Sequence, residues 1–215
     1  MHTLQKRVYG MALCLSALAG CVDAIGFIHL SGFFVSFMSG NTTRLAVSLA
    51  QGDTGKILLL ASILSLFVIG AMLGVLVRHF FKEPNAMLGV LLFVTALLTG
   101  AAIGYELNWQ AASIAFMTLA MGAENAILQK NGDVLGLTYM TGTLVKVGQR
   151  LANSLLGGER LAWAPYLFLW LSLLSGGVTG ALLFHYFGLR AIWFAVAWAA
   201  GITAMETVVK RMAGI

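Results

Sequence analysis

Apolar positions run along this chain in long blocks, interrupted by short polar stretches, with none of the strict alternation of a half-buried strand. The blocks cover residues 8–28, 57–77, 86–104, 111–128, 161–183 and 191–209. Each is close to the roughly 20 residues that cross about 30 Å of hydrocarbon at 1.5 Å per residue. Six membrane-crossing helices are therefore expected. Two shorter segments, 41–51 and 143–155, carry polar residues on one side and are expected to be short helices. The pattern predicts an all-α, polytopic membrane fold.

The blocks repeat. Shifting the sequence by 102 positions pairs Ser16 with Thr118, Gly20 with Gly122, Asp23 with Asn125 and Arg44 with Lys146. The same shift lays Phe37-Met38-Ser39-Gly40-Asn41 on Tyr139-Met140-Thr141-Gly142-Thr143. At a shift of 106, Gly70, Gly74 and His79 meet Gly176, Gly180 and His185. Repeats of this length exceed solenoid units and suit the duplicated halves of a small transporter. The halves are expected at 1–104 and 105–215, integrated in one domain. Each reads as a long helix with a polar stripe, a glycine-containing linker, a short helix and two plain spans.

Composition agrees with a membrane location: 60% hydrophobic, 10% charged, mean hydropathy +0.90, against about 25% charged in soluble domains. The net charge of +5 does not point to nucleic acid, because the basic residues flank apolar spans and form no patch or stripe. Cys14 and Cys21, seven residues apart on one helix, cannot bridge each other. Lys6-Arg7 and Leu18-Ala19-Gly20-Cys21 imitate a lipoprotein signal. The recurrence of Gly20 in the second half favours a first helix that stays in place.

Charge also bears on topology. If the short helices do not cross, the halves are inverted and one side of the membrane collects Lys6, Arg7, Arg78, Lys82, Lys130, Lys146, Arg150, Arg160, Lys210 and Arg211. The other side then keeps only Arg44, Lys56 and Arg190. If they do cross, the halves are parallel and the asymmetry weakens. The positive-inside rule therefore favours three plus three inverted spans.

Candidate chemistry lies in two places. Asp23 interrupts an apolar run, where a carboxylate costs roughly 2.5–3.5 kcal/mol unless it pairs or protonates. It shares a helix face with Ser16 and Gly20, as Asn125 does with Thr118 and Gly122, and Glu124 adds a second acid. Asp23 is expected to bind solute or proton, or to pair with Arg44 or Lys146. The second place is the pair of short-helix starts: Ser39, Asn41 and Thr42 in one half, Thr141 and Thr143 in the other. Capping residues and unpaired amides there would favour an anion, reinforced by Arg44 and Lys146. Interrupted helices in corresponding positions of two halves point to a central site.

Other features read more plainly. Gly70 with Gly74 and Gly176 with Gly180 are packing faces. His79 and His185 sit at span ends, and Glu206 is four residues from Lys210, the spacing of a local ion pair. Residues 143–155 could equally lie flat on the membrane surface. Histidines and cysteines do not cluster, so no metal and no cofactor are implied, and no catalytic motif appears.

The run from Ala19 to Phe27 (AGCVDAIGF), followed by Phe37-Met38-Ser39-Gly40-Asn41-Thr42, resembles the paired signatures of the YoaK family, bacterial inner-membrane proteins of unknown function. The resemblance implies a multi-pass inner-membrane location and no substrate. Taken together, the expectation is a small secondary transporter of a small anion or polar solute, with proton coupling open and a site between the halves. The alternatives are an ion channel on the same fold or a non-transporting scaffold. It is not expected to be an enzyme. The expected partners are lipid and a small-molecule or ion substrate, with a homodimer left open and no nucleic acid.

Overall fold

The computed structural model describes residues 2–130, 133–134 and 140–213; Tyr139, the repeat partner of Phe37, falls outside them. Eight α-helices carry the fold: α1 (His2–His29), α2 (Met38–Gln51), α3 (Thr54–Phe81), α4 (Ala86–Glu106), α5 (Gln110–Glu124), α6 (Met140–Leu155), α7 (Ala164–Phe187) and α8 (Ile192–Ala213). A 3-10 turn, Gly188–Ala191, joins α7 to α8, and a two-residue antiparallel pair, Gln129–Lys130 with Asp133–Val134, follows α5. Among the described residues, four stretches are long and apolar enough to cross a membrane: Arg7–His29, Thr54–Phe81, Ala86–Glu106 and the combined Ala164–Met212.

α5 departs from expectation, because the helix stops at Glu124 and does not continue to 128. The Asn125 side-chain amide donates to the carbonyls of Met121 and Gly122, and the next amides, of Ala126 and Ile127, bond three residues back. A short amide side chain competing for helix carbonyls loosens the ladder in this way. The carbonyls of Ala126 and Ile127 are taken by the Arg78 guanidinium at 3.3 and 3.0 Å.

Helix directions follow from side-chain contacts. Tyr9 donates to Pro165 O and Ser172 Oγ to Leu13 O, so α1 and α7 run parallel. α4 and α8 run antiparallel: Lys210 reaches Pro84 O and Asn85 Oδ1, Thr95 meets Thr203 at 3.2 Å, and Arg190 pairs with Glu106. Glu206 accordingly does not pair with Lys210 as its spacing suggested. It is buried and pairs with Arg7 of α1, because Lys210 is drawn toward the start of α4.

The closest helix contacts exchange between the two halves of the sequence. A Cβ on Gly20 would lie 2.1 Å from Leu173 O, one on Gly176 1.9 Å from Ala17 O, and one on Gly180 2.3 Å from Cys21 O. Only glycine lets α1 and α7 touch backbone to backbone. The α3–α5 interface repeats the arrangement: Gly122 against Phe67 O at 2.2 Å, Gly70 against Leu119 O at 2.3 Å, Gly74 against Ala123 O at 2.8 Å. The shifts of 102 and 106 convert every residue of the first set into its counterpart in the second.

Candidate functional site

The site begins with the return of the chain after α1. Residues 30–37 fold back alongside the helix, and Asp23 Oδ1 accepts the amides of Val35 at 2.9 Å and Ser36 at 2.7 Å. The Ser36 hydroxyl and the Phe37 amide bond the same carboxylate. From the other side Asn41, fully buried, takes the Phe34 amide on Oδ1 and gives its Nδ2 to the Phe34 carbonyl. A carboxylate and a carboxamide thus clamp a non-helical segment inside the fold and satisfy backbone groups that have no helix partner.

This corrects three expectations. Asp23 pairs with neither Arg44 nor Lys146, because backbone amides meet its charge. Arg44 lies over the rings of Phe33 and Phe34 at 5.6 and 5.8 Å, and Lys146 over Tyr166 at 5.5 Å. Neither cation reinforces a helix start. The short helices also begin three residues earlier than expected, at Met38 and Met140, so Asn41 and Thr42 lie within the helix and do not cap it. Thr42 Oγ1 donates to Met38 O, a bond within its own helix.

α2 ends at Gly52, whose φ of +69° permits the tight turn that lets Asp53 cap α3 through Lys56 N. α2 therefore runs back along α3. Its 14 residues span about 21 Å, which sets its start beside Phe67, midway along α3. There the starts of the two short helices face a common cavity. Ser36, Phe37, Met38, Ser39 and Phe67 from the first half, with Met140, Thr141 and Gly142 from the second, line a cavity of about 250 Å³ among the described residues. That lies below the roughly 300–1,000 Å³ of drug-sized pockets, so a solute of only a few heavy atoms fits. The side chains in its lining are hydroxyls, thioethers and aromatic rings, with no charge.

Of the ten residues singled out from the sequence, Ser39 and Thr141 line this cavity. Asp23 and Asn41 stand one layer behind, holding the segment that lines it. Thr42, Arg44, Thr143 and Lys146 lie farther along the short helices, and Glu124 and Asn125 end α5; none of these six is part of the lining. Sequence reasoning did not include Phe67, Ser36 or Phe37 in the site. Met38 and Met140 could have been drawn from the repeat, whereas nothing in the sequence around Phe67 marks it.

A second, larger cleft of about 380 Å³ opens at the junction of α3 and α4, lined by Val75, Arg78, His79, Lys82, Glu83 and Ala86. Arg78 there pairs with Glu83 as well as with the carbonyls after α5.

Sequence similarity to known proteins places this chain in a family. A family model described as "Protein of unknown function (DUF1275)" matches residues 11–205. The chain belongs to this family. It is 40% identical over 194 residues to the UPF0700 transmembrane protein RA0705 of Rhizobium meliloti (strain 1021), covering 88% of this chain and 82% of that protein. No solved structure matches. This member of the DUF1275 family is a membrane protein whose matched region includes the clamp, the cavity and both glycine interfaces.

Proposed function

We propose that this protein is a multi-pass inner-membrane secondary transporter of a small anion or small polar solute, built from two inverted halves. The observation that carries the reading is the shared cavity between the starts of α2 and α6, two interrupted helices in corresponding positions of a repeat. The helix directions support inversion. α1 parallels α7, α7 turns back into α8, and α8 opposes α4, so α1 and α4 point the same way. With only α3 running back between them, α2 returns to the side it came from. Its roughly 21 Å also falls short of a bilayer core of about 30 Å. The resemblance of the 19–27 and 37–42 signatures to the YoaK family supports the inner membrane.

Solute would contact Ser39 and Thr141 and lie against Phe67, and the positive ends of two helices favour an anion or an electron-rich oxygen there. Asp23 lies behind the α2 start and offsets part of that field, so a neutral polar solute is equally served.

The test is counterflow in proteoliposomes with labelled chloride, nitrate, acetate, phosphate and glycerol. Saturable exchange of at least one of these is expected, abolished by Ser39→Leu or Thr141→Leu and retained in Thr42→Val. Exchange unaffected by both cavity substitutions would remove the cavity from the solute path. Unsaturating ohmic current in planar bilayers would make the protein a channel, and silence in both assays would leave a scaffold.

A further inference from the structure

Glu124 stands apart from every other acid among the described residues. It is completely buried, and neither carboxyl oxygen has a hydrogen-bond partner. Three helices pack against α5, namely α1, α3 and α4, and their described charged side chains are all engaged elsewhere. Arg7 holds Glu206, Asp23 holds the amides of Val35 and Ser36, and Lys56 holds Asp53. Arg78 holds Glu83 and the Ala126 and Ile127 carbonyls, and Glu106 holds Arg190. His29 ends α1, and His79 lies at the exposed end of α3 against the Phe80 ring. A carboxylate with no counter-charge and no donor is among the most expensive groups to bury, whereas a carboxylic acid is tolerated.

A metal ion does not answer the unpartnered carboxyl. No group of three His, Cys, Asp or Glu side chains able to hold one exists among the described residues, and a lone carboxyl cannot supply the several oxygens a hard cation takes. The only species that both neutralises Glu124 and needs no further ligand is a proton. A route to water lies close by, since α5 ends at Glu124 and Arg78, at the edge of the α3–α4 cleft, binds the carbonyls two and three residues on. The repeat-related position in the first half is the buried, apolar Val22, so the site is single.

We propose that Glu124 is a proton-binding site, occupied while buried and emptied through the Arg78 cleft in a conformation that wets it. In uptake, a hydronium proton adds to one carboxyl oxygen and releases water; in release, the reverse occurs, with no other bond changed. That this proton is coupled to solute rests on the transporter reading above; that Glu124 binds and exchanges it does not.

The experiment is infrared difference spectroscopy across a pH titration of the whole protein in proteoliposomes. A carbonyl-stretch band of a protonated carboxylic acid should be present at low pH and decline as pH rises. It should move with ¹³C-glutamate labelling, persist in Glu83→Gln and vanish in Glu124→Gln. In Glu124→Asp it should return with an altered midpoint, which guards against a misfolded glutamine variant. A band unchanged in Glu124→Gln, or one that holds the same amplitude at every pH, overturns the proposal. Solute accumulation driven by a pH gradient provides a separate arm, in which Glu124→Gln should lose uphill accumulation yet keep exchange at equal pH. Wild-type accumulation in that variant overturns coupling while leaving the transporter reading intact. A titrating Glu124 band in a protein that moves none of the five solutes upholds proton binding and removes the transporter reading.

Discussion

The starts of α2 and α6 occupy corresponding places in the repeat, yet the residues at those places differ in charge. At α2, a carboxylate from the preceding long helix and a carboxamide from the short helix itself grip the incoming chain from two sides. At α6 the corresponding residues are Asn125 and Thr143, and the Asn125 amide turns back to carbonyls of its own helix. The first half thus holds its lip of the cavity by buried bonds to charge. The other carries no acid in the position of Asp23.

The contrast can be broken first at the level of topology, where the effect is all or none. Single cysteines after Lys82 and at Arg211 should react with an impermeant maleimide from one side of the membrane, and one near Glu106 from the other. Cys14 and Cys21, half-buried and buried, add little background. Labelling of Lys82 and Glu106 from the same side would end the inverted arrangement and the correspondence of the two lips with it.

The next largest effect is on stability. Asp23→Ala leaves at least two amides without their charged acceptor, at a cost of about 3 kcal/mol; Asn125→Ala removes bonds between neutral groups, the pair to its own helix sharing one amide and worth about 1 kcal/mol. Thermal unfolding in detergent should rank them in that order, and equal losses would erase the asymmetry. Where the halves agree, the losses should match. Gly176→Ala and Gly70→Ala force a methyl group onto a facing carbonyl, and each should cost about 2 kcal/mol by overpacking.

The smallest effect belongs to Asp53, which caps α3 at the surface. Its carboxyl is held below the usual carboxylate range by the Lys56 side chain and then the Lys56 amide. A lowered folded value means that the contribution is present above the ordinary carboxylate range and lost as pH falls through the folded one. Acid titration of the melting temperature should therefore flatten slightly in Asp53→Asn, and high salt should shrink the difference.

Much of this was legible in the sequence. Local periodicity marks where helices run, and the order of glycines and polar residues exposes the repeat, so the facing of Ser39 and Thr141 onto one cavity could be anticipated. The partners of the charged groups could not. Asp23 is answered by amides 12 and 13 residues away in a segment with no periodicity of its own, and Arg44 by two phenylalanine rings on that same segment. Glu206 is answered by a helix nearly 200 residues earlier. The glycine faces were recognisable as packing surfaces, but nothing in them says that each belongs against the opposite half. The early stop of α5 likewise depends on Arg78, on another helix, taking the carbonyls that follow it.

That exchange of helices has a consequence for how the protein is made. α1 is synthesised first, and its close-packed partner α7 begins at Ala164, so most of the chain must be threaded into the bilayer before the first helix finds its seat. Until then Gly20, Ala17 and Cys21 face lipid or whatever chaperones the nascent chain. A polypeptide ending after α4 holds α1 without α7 and α3 without α5, two half-interfaces with no complement. The first half should therefore not accumulate alone, but should be rescued by the second half supplied as a separate chain.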